Sequence, residues 1–186
     1  MNEQFIAEEQ FIALCYRGDL EGAKRLLEIY PDINTSYEDE CAFDDACING
    51  YLEIAKWLLQ LNPNINISIY DEQAFRYACI NNQLELAKWL LSVKPDINIS
   101  ADNHGAFRWA CRYKHLEVAK WLQSLKPYLY VIEYSKNGKY IRYKIRSKKE
   151  AIWENRKYAL HLALQEENNL LYHLPLDISK TVTLFV

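Results

Sequence analysis

Glycine is scarce in this chain of 186 residues, with five in all, and methionine occurs once. No glycine-rich loop is present to cradle a phosphate, so the nucleotide-binding fingerprints are excluded. No apolar run approaches the ~20 residues needed to cross a bilayer. Neither sign of charge is in large excess. The formal net charge of −3 gives the molecule as a whole little pull toward nucleic acid. The five cysteines include no Cys-x-x-Cys pair and no Cys/His cluster, which removes the ligand spacing of a zinc site. His104, His115, His161 and His173 stand beside no carboxylate and nucleophile at catalytic spacing. The opening Met1-Asn2-Glu3-Gln4 is acidic and does not read as a secretory signal. These absences predict an intracellular chain without membrane span, metal, cofactor or active site.

What the sequence has is repetition. Cys15, Cys47, Cys79 and Cys111 are each 32 residues apart, as are Leu20, Leu52, Leu84 and Leu116, and Pro31, Pro63, Pro95 and Pro127. Residues 42–66, 74–98 and 106–127 share one template: Ala-Phe, Ala-Cys, then Leu-Glu-x-Ala-Lys-Trp-Leu. Residues 11–36 are a worn earlier copy. Phe43, Ala46 and Cys47 form an i, i+3, i+4 stripe on one short helix. After the turn signal Asn49-Gly50, Leu52, Ile54, Ala55, Leu58, Leu59 and Leu61 stripe a second, which Pro63 stops. Residues 64–71 are expected to form an extended link to the next copy. Neither helix can bury its apolar face alone, so the copies must stack.

Leu52-Glu53-Ile54-Ala55-Lys56-Trp57-Leu58-Leu59, Asp96-Ile97-Asn98, Gly50 and the Ala46-Cys47 pair resemble the second helix, exit and turn of an ankyrin repeat over residues ~8–130. The Ala-Lys-Trp-Leu and Lys-Pro-Asp-Ile-Asn variants look most like the ankyrin paralogues of giant DNA viruses of amoebae. The resemblance implies an all-α repeat solenoid with copies at about 8–39, 40–71, 72–103 and 104–130. Two departures stand out. The Thr-Pro-Leu-His opening of the consensus is replaced by Ala42-Phe43-Asp44-Asp45, Ala74-Phe75-Arg76-Tyr77 and Ala106-Phe107-Arg108-Trp109, which removes its hydrogen bonds between repeats. The period is also one residue short of the usual ~33, with the deficit between Asn66 and Ala74. A shorter finger is expected.

After Pro127 the template stops. Asn137-Gly138 is a strong hairpin signal. A turn on those two residues would set Tyr134 opposite Ile141, Ile132 opposite Tyr143, Tyr130 opposite Ile145 and Glu133 opposite Arg142. Residues 128–147 are therefore predicted to form a β-hairpin, with Tyr130, Tyr134 and Tyr143 on its apolar face and Tyr140 on its charged one. Residues 148–186 are predicted to form a helical C-terminal cap.

Several constellations admit two readings. The cysteine ladder reads as small buried residues, because stacked helices lie ~8–10 Å apart and a disulfide needs Cα atoms within ~7 Å. Trp57, Trp89 and Trp121 read as packing within each repeat, or as a row for stacking a ligand. Lys56, Lys88 and Lys120 read as a solvated face. The hairpin is rich in tyrosine and basic residues (Lys136, Lys139, Arg142, Lys144, Arg146), the footprint of a nucleic-acid site or of a solvated basic face. Leu174-Pro175-Leu176-Asp177-Ile178 resembles the start of an F-box-like segment, which would make the chain a ubiquitin-ligase adaptor, or else it is a cap helix.

The family resemblance implies protein binding through finger tips and the exposed side of the first helices. The positions so implied are Tyr37, Glu38 and Asp39; Asp44, Asp45, Ile48 and Asn49; Tyr70 and Asp71; Arg76, Tyr77, Ile80 and Asn81; Asp102 and Asn103; and Arg108, Trp109, Arg112 and Tyr113. They vary between copies while the core positions repeat, and they run from acidic to basic along the array. The expected partner is a host-cell protein rather than nucleic acid or membrane, engaged by a monomer.

Overall fold

The structure, a computed structural model, describes residues 3–35 and 37–165. The helices expected within 170–186 and the adaptor-like segment at 174–178 lie outside the described residues. The elements run α1 (Glu3–Arg17), α2 (Leu20–Ile29), α3 (Tyr37–Asn49), α4 (Leu52–Leu61), α5 (Ile69–Ile80), α6 (Leu84–Val93), α7 (Ala101–Arg112), α8 (Leu116–Leu125), β1 (Tyr130–Tyr134), β2 (Tyr140–Ile145) and α9 (Lys148–Gln165). The chain divides into two compact units, Met1–Lys120 and Trp121–Val186.

In the first unit the first helices α1, α3, α5 and α7 lie side by side, and α2, α4 and α6 pack on their own partners. The core is a set of ladders with the 32-residue period. Phe11, Phe43, Phe75 and Phe107 are buried, as are Cys15, Cys47, Cys79 and Cys111, and Ala23, Ala55, Ala87 and Ala119. Each buried phenylalanine is worth about 1.5–3 kcal/mol relative to exposure. All five cysteines are free thiols. Burial pushes the Cys15 and Cys111 thiols up to about 12.

Two rungs of the tryptophan ladder reach the preceding repeat. Trp57 lies 5.9 Å from the Phe11 ring and Trp89 lies 6.5 Å from that of Phe43, each belonging to the preceding copy. Buried Ala46, Cys47 and Ala55 are small, and the large rings of Phe11 and Phe43 meet the indoles of the next repeat.

The turn between paired helices is one motif used four times. Gly18, Gly50, Asn82 and Lys114 occupy the same register at φ 81°, 84°, 62° and 61°. In the second copy the Gly50 amide donates to the Cys47 carbonyl and the Tyr51 amide to that of Ala46, the paired bonds of a Schellman cap. Only glycine adopts this conformation without cost.

The fingers are not extended links. Among the described residues no strand precedes Tyr130. Asn66 Oδ1 accepts from the Ser68 amide and Asn98 Oδ1 from that of Ser100, which are Asx turns. The chain then winds left-handed over Tyr70, Asp71 and Glu72, and again over Asp102, Asn103 and His104, with φ between 48° and 63°. The right-handed helices start only afterwards. Such a conformation costs about 1–2 kcal/mol per residue for side chains other than glycine, so it persists only where other groups hold it. The hydrogen bonds expected to vanish with Thr and His are replaced by another ladder. Buried Glu72 accepts from Ser68 Oγ and from the Asn98 amide, and Glu8, in the same register, accepts from the Asn34 amide.

In the second unit, β1 and β2 pair as expected at Tyr130–Ile145, Ile132–Tyr143 and Glu133–Arg142, but Tyr134 pairs with Tyr140 rather than Ile141. The loop contains three residues instead of two. The Ser135 amide donates to the Lys139 carbonyl, the Gly138 amide to that of Ser135, and Gly138 sits at φ 79°. Ile141 is left out of the pairing as a bulge. Tyr134 is accordingly exposed rather than packed, while Tyr130 is fully buried. Ser147 and Glu150 form a reciprocal capping box at the start of α9. The Ser147 amide donates to Glu150 Oε2 at 2.7 Å and the Glu150 amide to Ser147 Oγ at 3.3 Å.

Two measurements test this account. Lys114→Gly relieves left-handed strain and should raise unfolding stability by about 0.5–1 kcal/mol, whereas Gly50→Ala should lower it by about 1–2 kcal/mol; chemical denaturation reads both. Lys144 first, and then Ser147, hold the Glu150 carboxyl down at about 2, against an ordinary 4.5. Its contribution to stability is therefore complete above 4.5 and is lost as pH falls toward 2. The carboxyl carbon resonance of Glu150 should titrate near 2 and move upward in Lys144→Ala.

Candidate functional site

The outward face of the first helices collects most of the side chains singled out by the resemblance, but the structure divides them into two groups. The first group is committed to holding repeats together. Asp44 is only 4% exposed, and its Oδ2 accepts a 3.5 Å bond from Gln73 on the next first helix. It faces the stack, because it occupies the inward side of α3 between Phe43 and Ala46. Asn81 is exposed, but its Nδ2 donates to the Ile48 carbonyl at 2.8 Å, tying α5 to α3. Asn49 donates to the Asp45 carbonyl within its own helix. Ile48 and Ile80 are half-buried.

Arg76 is the centre of a finger staple. Its side chain is 15% exposed and its Nη1 pairs with Asp102 Oδ2 at 2.9 Å. Its Nε donates to the Asp71 carbonyl at 2.8 Å and its Nη2 to that of Tyr70 at 3.1 Å, so one guanidinium gathers the carbonyls of a left-handed turn. Asp71 Oδ2 in turn accepts from the Asp102 amide. The sequence shows Arg76 as one step of an acidic-to-basic surface. Folding spends that charge on Asp102, and the gradient contracts to its two ends.

The second group is left outward. Tyr70 and Asn103 are exposed at the finger tips, and Tyr77 is exposed on α5. On α7 and its C-cap, Trp109 and Tyr113 stack with ring centroids 5.6 Å apart and planes at 22°. The Arg112 guanidinium lies 5.0 Å from the centroid of the Trp109 ring. Tyr113 is 53% exposed, and His115 lies beyond it at 6.0 Å. Arg108 is half-buried one turn before Arg112. At the other end Asp45 is half-buried, and burial raises its carboxyl above the ordinary range. The side chains of Tyr37, Glu38 and Asp39 lie outside those described.

Residues 43–91 match the family described as ankyrin repeats in many copies. Among solved structures, an ankyrin repeat family protein from Legionella pneumophila is similar at 28% identity with a TM-score of 0.57. The match covers 62% of this chain and 36% of that one, so this chain spans little more than a third of that protein's length. No curated protein matches. The repeat array has the fold of an ankyrin-type solenoid. Its cysteine ladder is core, and its lysine ladder forms exposed i, i+3 pairs, Lys56 with Glu53, Lys88 with Glu85 and Lys120 with Glu117. No cluster of three His, Cys, Asp or Glu gathers among the described residues, and no described helix is long and apolar enough to cross a membrane.

The hairpin beyond the ankyrin repeats spends much of its basic charge locally. Arg142 pairs with Glu133, Lys144 pairs with Glu150 at 2.8 Å, and Arg146 donates to the Tyr128 carbonyl. Lys136 and Lys139 at its tip stay exposed.

The two groups separate in one experiment. Arg76→Gln should lower unfolding stability by about 0.5–1.5 kcal/mol, because the finger carbonyls of Tyr70 and Asp71 and the Asp102 carboxylate lose their shared partner. Arg112→Gln should change it by less than about 0.5 kcal/mol, as an exposed side chain outside the hydrogen-bonded frame. Equal losses in thermal or urea melts would undo the division.

Proposed function

We propose that the chain is a non-catalytic protein-interaction scaffold whose partner docks on the exposed face of the first helices. The observation that supports this most directly is the Trp109–Arg112–Tyr113 stack. Tryptophan, tyrosine and arginine are the side chains most enriched at interface anchors, and here Arg112 and Tyr113 stand exposed beside a half-buried Trp109 on a scaffold whose other positions repeat. Tyr77 and Asp45 belong to the same face, with Tyr70 and Asn103 at the finger tips. Asp44, Arg76, Asn81 and Asp102 act beneath it as supports. The Ala-Lys-Trp-Leu and Lys-Pro-Asp-Ile-Asn variants favour a viral protein acting on a host partner. The free thiols of Cys15, Cys47, Cys79 and Cys111 suit a reducing compartment such as host cytoplasm. The division of charge in the hairpin favours protein over nucleic acid as the partner class.

The test is affinity capture from host-cell extract, comparing the natural chain with Arg108→Glu, Trp109→Ala and Tyr113→Ala combined. A partner held by the natural chain should be lost from the variant, while the variant keeps its melting temperature within a few degrees. Equal recovery by both proteins would remove the face from consideration.

A further inference from the structure

The face proposed for binding ends in charges of opposite sign, two arginines at one end and one aspartate at the other, and their placement constrains the partner. At one end the Arg112 guanidinium lies over the Trp109 ring at 5.0 Å, and Tyr113 stacks on that ring at 5.6 Å. A guanidinium held over an indole keeps donors available for a carboxylate and loses less freedom on binding one than an unsupported side chain. Arg108 shares this helix stripe one turn earlier. Among the described residues neither arginine makes an ion pair, whereas Arg76 in the preceding repeat is consumed by Asp102. At the other end Asp45 makes no ion pair among the described residues, and burial holds its carboxyl above the ordinary range. Between the two lies exposed Tyr77.

The length of the face follows from the stack. Asp45 on α3 and Arg108 on α7 are separated by two helix spacings of about 8–10 Å, or roughly 16–20 Å. An extended chain covers that span in about six residues at ~3.3 Å each. A nucleic-acid strand, anionic along its whole length, would be drawn to Arg108 and Arg112 and repelled at Asp45.

Resting on the scaffold reading above, we infer that the face takes an extended segment of a partner protein, about six residues long, with acidic side chains on Arg108 and Arg112, an apolar or aromatic side chain against Tyr77 and Tyr113, and a basic residue at Asp45. The opposed charges allow one chain direction and penalise the reverse.

The test is selection of random dodecapeptides displayed on phage against the full-length chain, followed by fluorescence anisotropy with the peptides recovered. The expected sequences carry Asp or Glu next to an aromatic or large apolar residue, with Lys or Arg several residues away in a constant direction. Their affinity should fall at least about tenfold for the Arg108→Gln, Arg112→Gln double variant, the loss of one charge-assisted pair, and tenfold less binding should also follow from reversing the peptide sequence. Recovered peptides without acidic preference, or bound equally by the double variant, would overturn this inference and leave the scaffold reading standing. If no peptide is recovered, both readings fall, and salt-sensitive binding of a fluorescent oligothymidine would then reassign the face to nucleic acid.

Discussion

Each repeat in this chain is completed by its neighbour. Phe11 lies against Trp57 and Phe43 against Trp89, so a ring from one copy is covered only when the next copy is in place. Small alanine and cysteine ladders and large phenylalanine and leucine side chains share the same buried core. Stability in such an array is carried by nearest-neighbour interfaces more than by any repeat alone. The Asn81 bond to the Ile48 carbonyl and the Arg76–Asp102 pair add polar links in the same direction.

That dependence explains the fingers. With a period one residue below the family's usual ~33, the segment after each proline is compacted, and the left-handed turn at Tyr70, Asp71 and Glu72 makes the reversal. None of these residues is glycine. The strain is held from the following helix by the Arg76 guanidinium on two carbonyls, and by bonds to the next finger, the Asp71 carboxylate on the Asp102 amide and the Glu72 carboxylate on the Asn98 amide. A side chain visible in sequence only as a surface cation is thus a structural clamp. The surface available to a partner is what remains once such obligations are met.

The line between what was legible and what was not follows from this. The Phe, Cys and Ala ladders are plain in sequence because each copy solves the same packing problem with the same residues. The hairpin and its central pairs are legible because Glu133 and Arg142 fall opposite each other only in one register. The bulge at Ile141 is not, since Asn137-Gly138 serves a two-residue loop and a three-residue loop equally well. Periodicity places Trp57 on a helix face but does not say which repeat that face meets. Charge identifies Arg76 and Asp102 as opposite in sign without revealing that 26 residues of chain fold back to join them. No propensity announces three successive left-handed residues in Tyr70-Asp71-Glu72. Asp44 looks like a surface acid until the packing of Phe43 and Ala46 turns it inward.

Specificity in this molecule therefore cannot be read from the variable positions as a set. Asp44, Asn81, Arg76 and Asp102 vary between copies because each finger junction is built from a different polar pairing, and their variation records how the stack is held. Asp45, Tyr77, Arg108, Trp109, Arg112 and Tyr113 vary without making such bonds across repeats. Only for them does variation leave the scaffold unchanged while altering what it presents. The aromatic residues among them concentrate toward α7, where Arg112 and Tyr113 brace the Trp109 ring from their own helix and its cap. An anchor braced in this way loses little side-chain freedom when a partner arrives, which is why the α7 end, rather than the acidic α3 end, should dominate the energy of docking.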